Sequence, residues 1–227
     1  MWPMSFARSM TRCPRPFDPD RGADAVQAVP ELAGDLAKLV RGAAGCSPYL
    51  ADLLRAEAGW LVPAFADPMG AVEAELLALP DVPLEELPLV LRQAKRRVAL
   101  ITALADLAGV WPLEQVTQVL TDLADAAVQS CVAALVSAEV ARGKLPAGGD
   151  PQACGGMVVL AMGKMGGGEL NFSSDIDLIC LFDETRFDPD DYHDVRASFI
   201  RVTRKICLLY TSPSPRDQRG SRMPSSA

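Results

Sequence analysis

Three observations predict an α+β protein, mostly helical in its amino-terminal part and mixed at its end. Apolar residues recur at helical spacing from residue 31 to residue 141. A Gly/Pro-rich stretch over 145–156 then breaks the period. Two short apolar runs follow, 157–162 and 176–182; each is too short for a stable helix, and the first is β-branched at its centre, so both read as strands.

Taken in order, residues 1–30 carry Arg8, Arg12 and Arg15 among Pro3, Pro14, Pro16 and Pro19, with no apolar core of signal-peptide length, and read as a loosely ordered arm. The helical region spans 31–144. Its first stripe is Leu32, Leu36, Leu39 and Val40, with Gly42 and Gly45 expected to end it. Ser47 followed by Pro48 has the form of an N-cap and a first helical residue, opening a helix through Tyr49, Leu50, Leu53 and Leu54. Two long helices follow over 84–108 and 113–141, divided by Gly109, Val110, Trp111 and Pro112. In the second, Val116, Val119, Leu120, Leu123, Ala127, Val128, Cys131, Val132 and Leu135 define one buried face. Lys95, Arg96 and Arg97 on the first read as a solvated basic turn.

The linker-like segment 145–156 leads to a core over 157–207. Asp183 to Asp194 reads as a solvated acidic loop, and a last helical stripe runs through Val195, Phe199, Val202 and Ile206. From residue 208 to 227 the chain loses periodicity and turns rich in Ser, Pro and Arg, which reads as a tail foreign to the fold and resembles translated sequencing-adapter sequence.

Composition excludes several classes of function. An apolar share of 49% over 227 residues suffices for a core, while a net charge of −7 argues against grasping a nucleic-acid backbone. The six cysteines form no C-x-x-C pair, and several sit in apolar runs, as buried thiols of a reducing compartment would. His193 is the only histidine, which rules out a multi-histidine zinc site. No run approaches the roughly 18 uninterrupted apolar residues of a membrane span, so the expectation is a cytoplasmic protein without membrane contact.

The chemistry concentrates in 157–183. Asp175 and Asp177, one residue apart on an extended segment, project to the same face with Cα atoms about 6.5 to 7 Å apart. Ile176 and Leu178 then face the core. Two converging carboxylates repel unless a cation lies between them, and hard oxygen donors suit Mg²⁺ or Mn²⁺. The preceding turn, with Gly163, Gly166, Gly167 and Gly168, lets the backbone approach a ligand, while Glu169 and Leu170 could begin only a short helical turn. Lys164, Ser173 and Ser174 add a charge and two hydroxyls, so phosphate groups with a divalent metal are the expected guests. Glu169 reads as structural. Neither Walker A nor the Rossmann fingerprint fits, because Met165 follows Lys164 and no glycine falls at the required spacing.

The run G-K-M-G-G-G-E-L-N-F-S-S-D-I-D-L-I resembles the nucleotidyltransferase signature of the bifunctional glutamine synthetase adenylyltransferase/adenylyl-removing family. Cys46 to Leu50, Trp60 with Leu61, and the stretches 96–100 and 106–109 extend the likeness from about Ser47 to Arg204. The resemblance implies a polymerase-beta-like nucleotidyltransferase core, here incomplete. It also implies a nucleotide (ATP or ADP) and inorganic phosphate as substrates or products, glutamine synthetase as protein substrate, and a PII-type signalling protein as partner. Asn171-Phe172-Ser173-Ser174-Asp175-Ile176-Asp177 resembles the half that removes AMP from a glutamine synthetase tyrosine by phosphorolysis. On that likeness Asp175 and Asp177 are catalytic and metal-binding, and Gly163, Lys164, Gly166, Gly167, Gly168, Ser173 and Ser174 bind nucleotide or phosphate. The family's third carboxylate lies in a later strand with no counterpart here, so the chain as written is expected to be inactive. A different metal-dependent nucleotidyltransferase and a non-catalytic nucleotide- or partner-binding module are the alternatives.

Overall fold

The computed structural model describes residues 6–80, 82–146 and 151–211. The fold is α+β: a helical assembly against which one two-stranded antiparallel sheet is packed. The helices are α1 (Phe6–Ser9), α2 (Pro19–Gln27), α3 (Gly34–Cys46), α4 (Pro48–Ala56), α5 (Ala58–Ala64), α6 (Pro68–Leu77), α7 (Leu87–Leu107) and α8 (Leu113–Ala141). After a 3₁₀ turn at Pro151–Gly156 come β1 (Met157–Ala161), α9 (Gly163–Gly166), β2 (Leu178–Phe182) and α10 (Tyr192–Thr211).

Residues 6–30 correct the expectation of a loose arm. Phe6 is buried edge-on against Phe65, with ring centroids 4.8 Å apart, and α2 packs on α3. The Thr11 amide donates to the Ala108 carbonyl at 2.9 Å. The same segment explains why α3 runs through Gly42 and Gly45 instead of ending there. A Cβ at Gly42 would collide with the Pro14 carbonyl, and one at Gly45 with Pro16, so both glycines admit the arm and do not stop the helix. The composition of this arm resembled disorder because its anchors are single residues spread among prolines.

The Ser47 hydroxyl caps α4 by accepting from the Leu50 amide at 3.2 Å, with Pro48 at the first helical position, as expected. The break between α7 and α8 also falls where predicted. Gly109, at φ 64°, donates to the Asp106 carbonyl and Val110 to the Ala105 carbonyl, a Schellman termination that releases the last turn of α7.

Every residue of the predicted α8 stripe is buried. This helix is long and apolar enough to cross a bilayer by length and composition, but 67% of its most apolar window is buried inside the fold, which accounts for that apolarity. Arg96 and Arg97 do not form a solvated turn. Both donate to Glu57, which is 5% exposed, at 2.7 and 3.0 Å, and Arg97 also reaches Glu75 at 2.8 Å and lies over the Trp60 ring. These contacts tie α7 to the α4–α5 junction and to α6.

Helix α10 packs on α8 and α7, burying Val195, Phe199, Val202 and Ile206. It continues to Thr211 with Leu209 packed on the core, so residue 208 is not a structural break; the remainder of the expected tail, 212–227, lies outside the described residues.

Candidate functional site

The two strands pair from Met157↔Phe182 to Ala161↔Leu178, and the Met162 amide donates to the Asp177 carbonyl at 2.9 Å, one step beyond the regular ladder. Burial alternates along the second strand and its lead-in. Ile176, Leu178, Cys180 and Phe182 pack inward, while Asp175, Asp177, Ile179 and Leu181 are exposed on the other face. Period-2 alternation thus places both carboxylates on the open face, as the spacing predicts. One detail differs: regular β structure begins only at Leu178, so the aspartates occupy the extended lead-in. There the opposing chain has already turned away into α9, and the last ladder bond is the one to Asp177.

The glycine turn, read from the sequence as irregular backbone, is itself a short helical turn, α9. Gly163 enters it at φ 58° and Gly168 leaves it at φ 71°, both in the left-handed region that favours glycine. The Gly163 Cα lies next to Asp177, since a Cβ there would sit 3.9 Å from Asp177 Oδ2. Gly166 lacks a side chain for another reason: a Cβ would meet the Ala161 carbonyl of β1. The amides of Gly166, Gly167 and Gly168 donate to the carbonyls of Met162, Gly163 and Met165 at 3.1 to 3.2 Å. They are therefore committed to closing the turn. The amides at the start of the turn, Gly163 to Met165, are the ones a helical turn leaves without intrahelical partners. Lys164 is exposed beside them.

Asn171 orders the approach to the aspartates, a role absent from the sequence reading. Its Oδ1 accepts from the Ser173 amide at 3.1 Å, the Ser173 hydroxyl at 3.3 Å and the Ser174 hydroxyl at 2.8 Å. The Ser174 amide donates to the Asn171 carbonyl at 3.2 Å. Asn followed by two serines is the signature of such side-chain turns and could have flagged it. Both serine hydroxyls are thus engaged within the loop.

The loop docks on α8. Met165 and Leu170 are buried, and the Leu170 amide donates to Thr121 Oγ1 at 3.2 Å, while Thr121 donates to the Thr117 carbonyl at 2.9 Å. Nothing local in the sequence pairs Thr121 with Leu170. The only signal is a hydroxyl residue inside an apolar stripe.

The acidic loop after β2 is self-capped. Hydrogen bonds from the Thr185 hydroxyl at 2.7 Å and its amide at 3.1 Å hold the Asp183 carboxyl below its usual range, and Asp188 accepts from the Asp190 amide at 3.0 Å. Among the described residues, no group of three or more His, Cys, Asp or Glu side chains is placed to hold a metal ion. Asp175 and Asp177, exposed and on one face, offer two hard oxygen donors. Such a pair fits a divalent cation that completes its shell with water or phosphate oxygens.

The sequence model described as Glutamate-ammonia ligase adenylyltransferase matches residues 37–217, which takes in ten residues beyond Cys207. A Bradyrhizobium diazoefficiens protein named bifunctional glutamine synthetase adenylyltransferase/adenylyl-removing enzyme is 46% identical over 180 residues, covering 74% of this chain and 18% of that protein. Proteins of the same name from Rhodopseudomonas palustris (strain BisB5) and Caulobacter vibrioides are 40% identical over 199 residues and 34% over 215. These alignments cover 82% and 88% of this chain, and 20% and 22% of those proteins, so the chain spans about a fifth of its curated relatives. No solved structure matches.

Proposed function

The chain belongs to the glutamate-ammonia ligase adenylyltransferase family, and from that premise we propose that it carries part of the site that removes AMP from adenylylated glutamine synthetase by phosphorolysis. The observation that carries this reading is the placement of Asp175 and Asp177 on one open face, directly beside the Gly163 turn, within the run Asn171 to Asp177.

In the proposed reaction an oxygen of inorganic phosphate forms a bond to the adenylyl phosphorus while the bond from that phosphorus to the tyrosyl oxygen breaks. ADP leaves, and the tyrosyl oxygen takes up a proton. A divalent ion held by Asp175 and Asp177 would supply charge neutralisation at the reacting phosphates. In this reading the amides of Gly163 to Met165 and the Lys164 ammonium, beside the carboxylates along the chain, attract phosphate oxygens. Asn171 acts by holding the loop that aims Asp175, with Ser173 and Ser174 as its partners. A PII-type protein as regulator is part of the same reading.

The test uses a full-length enzyme containing this segment. Asp175→Asn or Asp177→Asn should abolish phosphate-dependent ADP release from adenylylated glutamine synthetase and leave adenylylation largely intact. Loss of adenylylation alone would assign this segment to the opposite reaction. The 227-residue chain by itself, whose described residues bring two carboxylates to this face where polymerase-beta-like sites use three, should turn over several powers of ten more slowly than the full-length enzyme.

A further inference from the structure

Beside the aspartates, but outside the glycine turn, lies a groove of about 530 Å³ bounded by α4, α7, α8 and the 170–174 loop. Its floor is aliphatic, from residues such as Leu120 and Leu123, and its size falls in the range of small-ligand sites. Tyr49 and Phe172 line it while remaining 54% and 50% exposed, so two aromatic rings stay half in solvent at its mouth. Phe172 belongs to the signature loop itself, between Asn171 and Ser173, whose amide and hydroxyl both donate to Asn171 Oδ1. Ser174 also lines the groove, and the next residue is Asp175. Three residues extend at most about 10 to 11 Å, so the groove and the carboxylates lie within that distance along the loop.

We propose that this groove receives the adenine base and ribose of the adenylyl group, with Phe172 and Tyr49 as the stacking faces. This inference rests on the nucleotidyltransferase reading and extends it by giving the nucleoside its own subsite. An adenine presents two flat apolar faces and a polar edge. The groove matches that pattern, with aromatic rings and an aliphatic floor beside a polar rim that includes Lys95 and Asn171. Because Ser174 joins the groove to Asp175, a base lying at Phe172 directs its phosphate toward the carboxylates. The acceptor tyrosine, which must arrive attached to a folded protein, is better served by the open face of the sheet than by a recess walled by three helices.

Calorimetric titration of the 227-residue chain with adenosine, AMP, inorganic phosphate and N-acetyl-tyrosinamide tests this. Adenosine and AMP should bind, and Phe172→Ala or Tyr49→Ala should weaken both about tenfold, the scale of one lost aromatic stack, without changing phosphate binding. Both side chains are half-exposed, and matching circular dichroism and melting of the variants will verify that folding is intact. Absence of adenosine and AMP binding, or binding that both aromatic variants retain within twofold, overturns the assignment. Loss of tyrosinamide binding alone assigns the groove to the acceptor and overturns it as well. Unimpaired deadenylylation by Asp177→Asn in the full-length enzyme would instead defeat the catalytic reading, whatever the groove binds.

Discussion

The amide of Leu170 donates to the hydroxyl of Thr121, 49 residues earlier in the chain, at 3.2 Å. This bond joins the signature loop to the central helix α8 at a buried point, just where the glycine turn ends and the Asn171 turn begins. Thr121→Val keeps the shape of the side chain and removes the acceptor, leaving the Leu170 N–H buried without its partner. A loss of about 1 to 3 kcal/mol is expected in urea unfolding, together with faster hydrogen exchange at the Leu170 amide. Thr121→Ser should restore both. Equal stability of the valine variant and the parent would mean that the loop is held by Met165 and Leu170 packing alone.

The glycines of the turn are not equivalent. A Cβ at Gly166 would meet the Ala161 carbonyl, whereas one at Gly167 would make an ordinary contact 3.6 Å from the Gly163 carbonyl. Gly166→Ala should therefore cost about 1 to 3 kcal/mol by overpacking, while Gly167→Ala should be neutral within about 0.5 kcal/mol. Thermal melting of the two variants side by side distinguishes them. Indistinguishable melting points would show that β1 can retreat from α9.

Features set by local period were legible in the sequence. The α8 stripe, the Ser47–Pro48 helix start, the α7–α8 break and the shared face of Asp175 and Asp177 each follow from spacings of a few residues. Features set by distant partners were not. Gly42 reads as a helix stop until Pro14 is seen against it, and Arg96 reads as solvated until Glu57, 39 residues away, is seen to accept from it. The helical form of the glycine turn was not legible because several glycines in a row suggest irregular backbone. Packing of Met165 on the core and the amide bonds to Met162 and Gly163 instead wind the chain into a helical turn there.

Glu57 is the buried hub of the α4–α5 junction, and its removal should be costly. Glu57→Ala leaves Arg96 and Arg97 without their shared acceptor, while the Arg97 contacts to Glu75 and the Trp60 ring survive. A loss on the order of 3 kcal/mol is expected, moderated because Arg96 is 40% exposed and water can solvate it. Chemical denaturation measures it. A change below about 0.5 kcal/mol would show that the arginines re-solvate freely.

Glu139 gives the fold a predictable response to acid. Its carboxylate is 2% exposed and accepts from Arg201 at 2.8 Å and Arg142 at 2.9 Å, pinning α10 to the end of α8. Burial alone would favour the neutral acid, but the Arg201 hydrogen bond and charge, with Arg142 and Lys205 nearby, hold its carboxyl below the usual range. A folded-state value below the unfolded one means that the proton binds the unfolded chain more tightly. The stabilisation is thus fully present above the ordinary glutamate value of about 4.3, and it is lost as pH falls through the lower folded value. Glu139→Gln should be less stable than the parent by about 1.5 to 3 kcal/mol at pH 7, and the gap should narrow as pH drops below about 4. Because Phe199 of α10 stacks on Phe182 of β2 with centroids 4.8 Å apart, release of α10 also uncovers the inner face of the strand that follows Asp177. Urea midpoints of both proteins between pH 7 and pH 3 provide the measurement. A gap that stays constant across that range would show that Glu139 acts through packing and not through its charge.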